Sequence, residues 1–144
     1  MSVAARPPLG LHQLVPLLMV TSMETSLRFY VEGLGFVMKN RWIDEGTLRW
    51  CWLEQDGVAL MLQEWKDDPS HPPRPQGKVG LGVGFNFNCA DALAVYRALR
   101  DRGISTRRPF VGNAMWVVSL EDPDGYSLHF QSPTEAPEES QYPD

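Results

Sequence analysis

Two glycines recur in step along this chain of 144 residues. Gly35 and Gly57 stand 22 positions apart, Gly103 and Gly125 stand 22 positions apart, and the two pairs are offset by 68. The first glycine of each pair follows a stretch with helical apolar spacing, and the second belongs to an Asp-Gly pair between apolar runs. Glycine supplies the left-handed backbone that ends helices and closes hairpins. The same punctuation at a fixed offset marks an internal repeat, which constrains the architecture more than any single segment does.

The elements between the glycines agree. Residues 14–20, "LVPLLMV", suit a buried strand. In "TSMETSLRFYVEGLGF", Thr21 and Glu24 have capping-box spacing, and Met23, Leu27, Tyr30 and Leu34 fall on one helical face. Gly33 or Gly35 can end that helix. "FVMKNRWI", "TLRWCWLE" and "VALMLQEW" read as three strands split at Glu45-Gly46 and Asp56-Gly57. The second half repeats the order: "GVGFNFNC" as strand, "DALAVYRALRDRG" as helix, then "STRRPFV", "AMWVVSLE" and "YSLHFQS" as strands. The expected fold is α+β: two βαβββ modules forming a curved, partly open eight-stranded sheet with one helix on the outer face of each half. A sheet covered on one face leaves the other free. Two such sheets side by side form a trough able to take a small molecule.

Expected boundaries follow. Residues 1–13 form an N-terminal arm, and 14–132 form a single domain. That domain comprises modules 14–65 and 79–132 and a Pro-rich connector at 66–78. Residues 133–144, "PTEAPEESQYPD", read as a solvated, poorly ordered acidic tail. Net charge is −5, but the body without that tail is close to neutral. No basic stripe suits nucleic acid, and "LVPLLMV" is far too short to span a membrane. Cys51 and Cys89 lack CxxC spacing and are expected as two thiols in a reducing cytoplasm.

Three stretches, "VTSMETSLRFYVEGLGF", "LEQDGVALMLQE" and "LEDPDGYSLHF", together resemble the glyoxalase/bleomycin-resistance family of the vicinal-oxygen-chelate superfamily. The resemblance implies paired βαβββ modules, a cavity in each curved sheet, and a homodimer with two sites. It also implies metal ligands on the first and last strand of each half. Position by position these fall on Val15, on Met61, among Gly82, Val83 and Gly84, and on His129. Valine and glycine offer no ligand atom, and a thioether suits Cu(I) better than zinc, nickel or iron. A catalytic zinc needs about three protein ligands. No metal and no other cofactor is therefore expected.

Strand alternation assigns faces. Ser127, His129 and Gln131 are expected in the trough, with Leu128 and Phe130 under the helix. Ala59, Met61 and Gln63 face the trough, opposite Val58, Leu60 and Leu62. Gly82, Gly84, Asn86 and Asn88 face inward, opposite Val83, Phe85 and Phe87. On "TLRWCWLE" two assignments compete. The repeat pairs Trp50 with Val118 and Trp52 with Leu120, which favours Trp50 and Trp52 as core and puts Arg49 and Cys51 in the trough. The reverse makes the tryptophans an aromatic wall for a planar ligand. Met19, Met61 and Met115 are expected to line the trough.

The expected ligand-binding set is thus Arg49, Cys51, Met61, Gln63, Asn86, Asn88, Met115, His129 and Gln131. The function expected from it is metal-free binding and sequestration of a small organic ligand, in the bleomycin-resistance manner. Two enzymatic alternatives stand beside it. One is a metal-dependent lyase, isomerase or dioxygenase of the glyoxalase superfamily. The other is a metal-free catalyst using His129 as acid or base, the single candidate for that role. A structural module whose Trp42, Trp65 and Trp116 serve a dimer contact is a third reading.

Overall fold

The computed structural model describes residues 6–143. The ten expected segments take form in the expected order, as β1 (Leu17–Val20), α1 (Met23–Leu27) running on into a π-helical turn (Arg28–Gly33), β2 (Val37–Asp44), β3 (Thr47–Gln55), β4 (Val58–Glu64), β5 (Gly84–Asn88), α2 (Ala92–Asp101), β6 (Phe110–Gly112), β7 (Met115–Glu121) and β8 (Ser127–Pro133). The strands hydrogen-bond as two four-stranded mixed sheets, ordered β1-β4-β3-β2 and β5-β8-β7-β6. In each, the first strand lies parallel to the last and the other pairs are antiparallel. The repeat is therefore real in three dimensions. Its four marker glycines all have positive φ, at 88° and 80° in the first half and 76° and 97° in the second.

Several local expectations shift by a residue. Ser22, not Thr21, caps α1, its side chain accepting from the Thr25 N–H. Thr21 is committed elsewhere, since its backbone N–H and hydroxyl both donate to the Asp124 carboxylate. Asp91 caps α2 by accepting from the N–H groups of Leu93 and Ala94. The strand expected over 105–111 shrinks to Phe110–Gly112. Buried Pro109 has no N–H to give a ladder there.

One apolar core joins the halves. Leu18, Leu53, Leu60 and Leu62 of the first sheet cluster with Leu99, Leu120 and Leu128 of the second half. The "DPDG" turn adds a polar seam. Buried Tyr30 donates its hydroxyl proton to Asp122 at 2.7 Å. The same carboxylate accepts the Asp124 and Tyr126 N–H groups at 2.9 Å each. The Tyr126 hydroxyl in turn donates to the Met19 carbonyl at 2.9 Å. Asp122 thus ties the hairpin of the second module to the helix of the first.

Most of the acidic tail does not float. The Glu139 N–H donates to the Val111 carbonyl, the Val111 N–H to Ser140, and the Tyr142 N–H to Pro109. Tyr142 also sets its ring edge-on against Tyr96, centroids 5.0 Å apart. The apolar Tyr142 outweighs the charge of its neighbours, and Glu138 is used as an acceptor for the Ala114 N–H. At the other terminus Leu9, Leu11 and Leu14 are left exposed, without strand structure.

Candidate functional site

The face of each sheet away from its helix carries the side chains of interest, and the two faces differ. On the first sheet the tryptophan assignment reverses. Cys51 and Leu53 are fully buried under the helix, the Cys51 sulfur 4.0 Å from that of Met23. Trp50 and Trp52 are half-buried on the opposite face, paired with Gln63 and Met61 respectively. Across β2, Trp42 pairs with Trp50 and is 54 % exposed. Met19 lies next to Gln63 on β1. The open face is thus a wall of three tryptophans and two methionines.

Cys51 accordingly leaves the trough set, whereas Arg49 stays at its margin, on a recess shared with Met19, Trp42 and Gln63. Its guanidinium pairs with Glu64 at 3.1 Å, and the other carboxylate oxygen of Glu64 accepts the Met23 N–H at the start of α1. A register shift in β3 between the partners of Trp42 and Ile43 sets Arg49 at the end of the sheet. Burial pushes the Cys51 thiol up to about 11. Burial also raises Cys89, but that thiol is only partly covered, near the Gln131 carbonyl. Iodoacetamide at pH 8 is expected to alkylate Cys89 and spare Cys51 in the folded protein, seen as one adduct by intact mass and located by peptide mapping.

The second open face is polar. Asn86 pairs with His129 and Asn88 with Gln131 on adjacent strands, and the Gln131 amide donates to Asn88 at 3.1 Å. Ser119, opposite His129 on β7, bonds its Nδ1 at 2.8 Å. That contact leaves Nε2 as the free ring nitrogen. A Cβ on Gly84 would sit 3.3 Å from Nε2, so the glycine keeps the histidine unobstructed. Arg107, Thr106, Ser127 and His129 border a recess of about 330 Å³. Met115 is half-buried and pairs with Gly112 at the far edge.

Strand register also locates the positions that the resemblance assigns to a metal. Leu17 aligns with Met61 and Asn86 with His129, so Val15 corresponds to Gly84. Together Val15, Met61, Gly84 and His129 provide one imidazole and one thioether. That donor set does not fit a zinc, nickel or iron centre. Among the described residues no three His, Cys, Asp or Glu side chains group to hold an ion. Among the described residues no helix is long and apolar enough to cross a membrane.

Four likenesses bear on this geometry. A family model described as the Glyoxalase/Bleomycin resistance protein/Dioxygenase superfamily matches residues 10–130. An uncharacterized protein of Bacillus subtilis (strain 168), YurT, is 29 % identical over 116 residues, spanning 74 % of this chain and 87 % of its own. Two solved structures share the fold. A glyoxalase/bleomycin resistance protein/dioxygenase from Nocardioides superposes with a TM-score of 0.64 at 19 % identity, covering 98 % of this chain and 93 % of its own. TnmS3, an antibiotic binding protein from Streptomyces sp. CB03234, gives 0.60 at 23 % identity, with 85 % and 98 % covered.

Proposed function

The chain belongs to the glyoxalase/bleomycin resistance protein/dioxygenase superfamily, and from that premise we propose that it is a metal-free small-molecule binding protein that acts by sequestration. The observation that carries this reading is the tryptophan–methionine wall. Three indoles and two thioethers stand on the face opposite the helix, and Trp42 and Leu17 are about half exposed there. Aromatic faces at a sheet surface are costly to leave in water and stack well on planar ligands. Methionines beside them adapt to shape. The polar face of the second sheet supplies the complement: amides from Asn86, Asn88 and Gln131, and the imidazole of His129.

In a homodimer, the polar sheet of one copy laid over the tryptophan sheet of the other encloses an amphipathic ligand between unlike walls. Cytoplasmic residence accords with the two free thiols. The likeness to TnmS3, an antibiotic binding protein, supports an organic ligand of antibiotic type.

The test uses 2-acetonaphthone as a planar probe, titrated by tryptophan quenching and calorimetry, with sedimentation to read the oligomeric state. Saturable binding at one probe per chain is expected, unchanged by EDTA. Trp52→Ala should weaken it about tenfold, the loss of one stacking contact. Equal affinity in wild type and Trp52→Ala, or a stoichiometric metal in the purified protein, removes this reading.

A further inference from the structure

The internal repeat gives the molecule two equivalent seams, each where a hairpin turn of one module meets the helix of the other. In the first, the turn before β8 meets α1, and two tyrosines fill the space. Tyr30 is fully buried and donates to Asp122, and Tyr126, 9 % exposed, donates to the Met19 carbonyl. In the second, the turn between β3 and β4 meets α2. Backbone bonds identify the equivalent positions. Just after each helix-ending glycine an N–H returns to the helix, that of Phe36 to the Tyr30 carbonyl and that of Ile104 to the Leu99 carbonyl. Leu99 therefore stands where Tyr30 does. At the hairpins, Glu54 pairs with Ala59 and Glu121 with Ser127. One step further into each turn, Gln55 pairs with Val58, and the Asp122 N–H donates to the Tyr126 carbonyl. Val58 therefore stands for Tyr126, and Gln55 for Asp122.

The second seam thus lacks two phenol rings that the first contains, and a recess of about 480 Å³ lies there. That is well above the roughly 150 Å³ that holds a benzene ring in a protein core. The floor is aromatic. Phe87 stacks on Phe130 with centroids 5.0 Å apart, and Phe36 meets Phe87 edge-on at 6.4 Å. Phe87, Val95 and Phe130 are only partly covered, and Val58 is 38 % exposed where Tyr126 is 9 %. Beside the recess, the partly exposed Gln55 amide lies against Gly35 and makes no hydrogen bond with any described residue. Asp56 and Arg102 stand at the mouth with opposite charges, and one Arg102 nitrogen is held by the Gly33 carbonyl at 2.7 Å. Such an entrance favours a neutral molecule over an ion.

We propose that this recess is a binding site for a neutral phenol. The ring takes the place of the missing tyrosine side chains, against Phe87 and Phe130, where aromatic rings pack well edge-on or offset. The hydroxyl donates to the side-chain oxygen of Gln55, as Tyr30 donates to Asp122. The site lies on the helix-covered side of the sheets, away from the tryptophan wall, and does not depend on it. One molecule can therefore hold two different ligands at once.

The test uses 4-methylphenol, the tyrosine side chain as a free molecule, titrated into protein carrying ¹³C-labelled valine methyl groups. Val58→Ala and Val95→Ala identify the relevant resonances by their loss. Saturable movement of both is expected, with a Kd of about 1 mM for so small a ligand. 4-Methylanisole keeps the oxygen but has no proton to donate, and it should bind about fivefold more weakly. Gln55→Leu should reduce that preference below twofold. Val58→Tyr restores the ring of Tyr126 from a partly exposed position. It should weaken 4-methylphenol at least tenfold while the indole N–H spectrum keeps its wild-type pattern; if that variant does not fold, Gln55→Leu carries the test alone. Valine resonances unmoved by 4-methylphenol overturn the site. Equal binding of 4-methylphenol and 4-methylanisole also overturns it, since the crevice is then apolar without a hydroxyl acceptor. Movement of the same resonances with protein concentration alone overturns it as well, because a second copy then fills the seam.

Discussion

Asp122→Ala is expected to cost about 3 kcal/mol of unfolding free energy, read by urea denaturation at pH 7, and to lower Tm by roughly 10 °C. The alanine leaves the Tyr30 hydroxyl and the Asp124 and Tyr126 N–H groups without their acceptor, in a seam where Tyr30 and Asp122 are buried. Orphaned donors of this kind account for most large losses outside apolar cores. Asp122→Asn separates geometry from charge. Its carbonyl oxygen still accepts both backbone N–H groups, and its amide meets the Tyr30 oxygen as donor, so the loss should be about 1 kcal/mol.

The pH dependence has a definite sign. Burial, first, raises the folded Asp122 carboxyl above its ordinary value, against the opposing hydrogen bond from Tyr30. A group raised in the folded state contributes its full stability below the unfolded pKa and loses part of it as pH rises through the folded value. The gap between wild type and Asp122→Asn should therefore be wider at pH 3.5 than at pH 7. A gap that widens as pH rises would mean that the carboxylate is stabilised in the fold, contrary to its burial.

Leu53→Ala and Trp52→Ala make the second large contrast. Leu53 is fully buried under the helix, so its truncation should cost about 3 kcal/mol. Trp52 faces outward and is half-buried, with its indole N–H donating to Glu54 at 2.8 Å, so its truncation should cost about 1 kcal/mol or less. The ordering is checked by chemical denaturation of both variants under one condition. The opposite ordering would return Trp52 to the core.

That contrast also shows what was legible in the sequence and what was not. The repeat, the element order, the helix-ending glycines and the faces of β4 and β8 could be read from spacing alone. Leu60 and Leu128, offset by 68, are both buried. The same offset failed on β3 and β7 because the two hairpins differ in length. Gln55 pairs with Val58 across a two-residue turn, whereas Glu121 pairs with Ser127 across "DPDGY". The longer turn slips β7 by one residue relative to the repeat, so Cys51 and Leu53 correspond to Val118 and Leu120. A one-residue slip exchanges the two faces of a strand. The offset of 68 therefore sets Trp50 and Trp52 against core positions that belong to their neighbours. The loop lengths stood in the sequence; the turn residues that enter the ladder did not, because the Asp122 carboxylate is shared between its own turn and Tyr30 of the other module.

The recess that Arg49 and Trp65 share was hidden for a related reason. Arg49 and Trp65 lie 16 positions apart in the sequence, and the β3–β4 pairing, with Trp50 opposite Gln63, brings them to the same end of the sheet. The composition of the tail conceals its packing. Four acids outweighed one tyrosine in a sequence average, but the tyrosine had a place to pack, against Tyr96.

The docked tail makes the two ends of the molecule unequal. Along β6, the outermost strand of one sheet, the segment 139–142 occupies the backbone groups of Val111 and Pro109 that a foreign strand would otherwise recruit. Along β2, the outermost strand of the other, no described segment does so, and that border is defended only by its two register irregularities and the cations Lys39 and Arg41. Strand-by-strand growth, whether into a filament or onto a peptide, is thus open along β2 and shut along β6. Cutting the chain before Pro137 would make the molecule extensible from both borders.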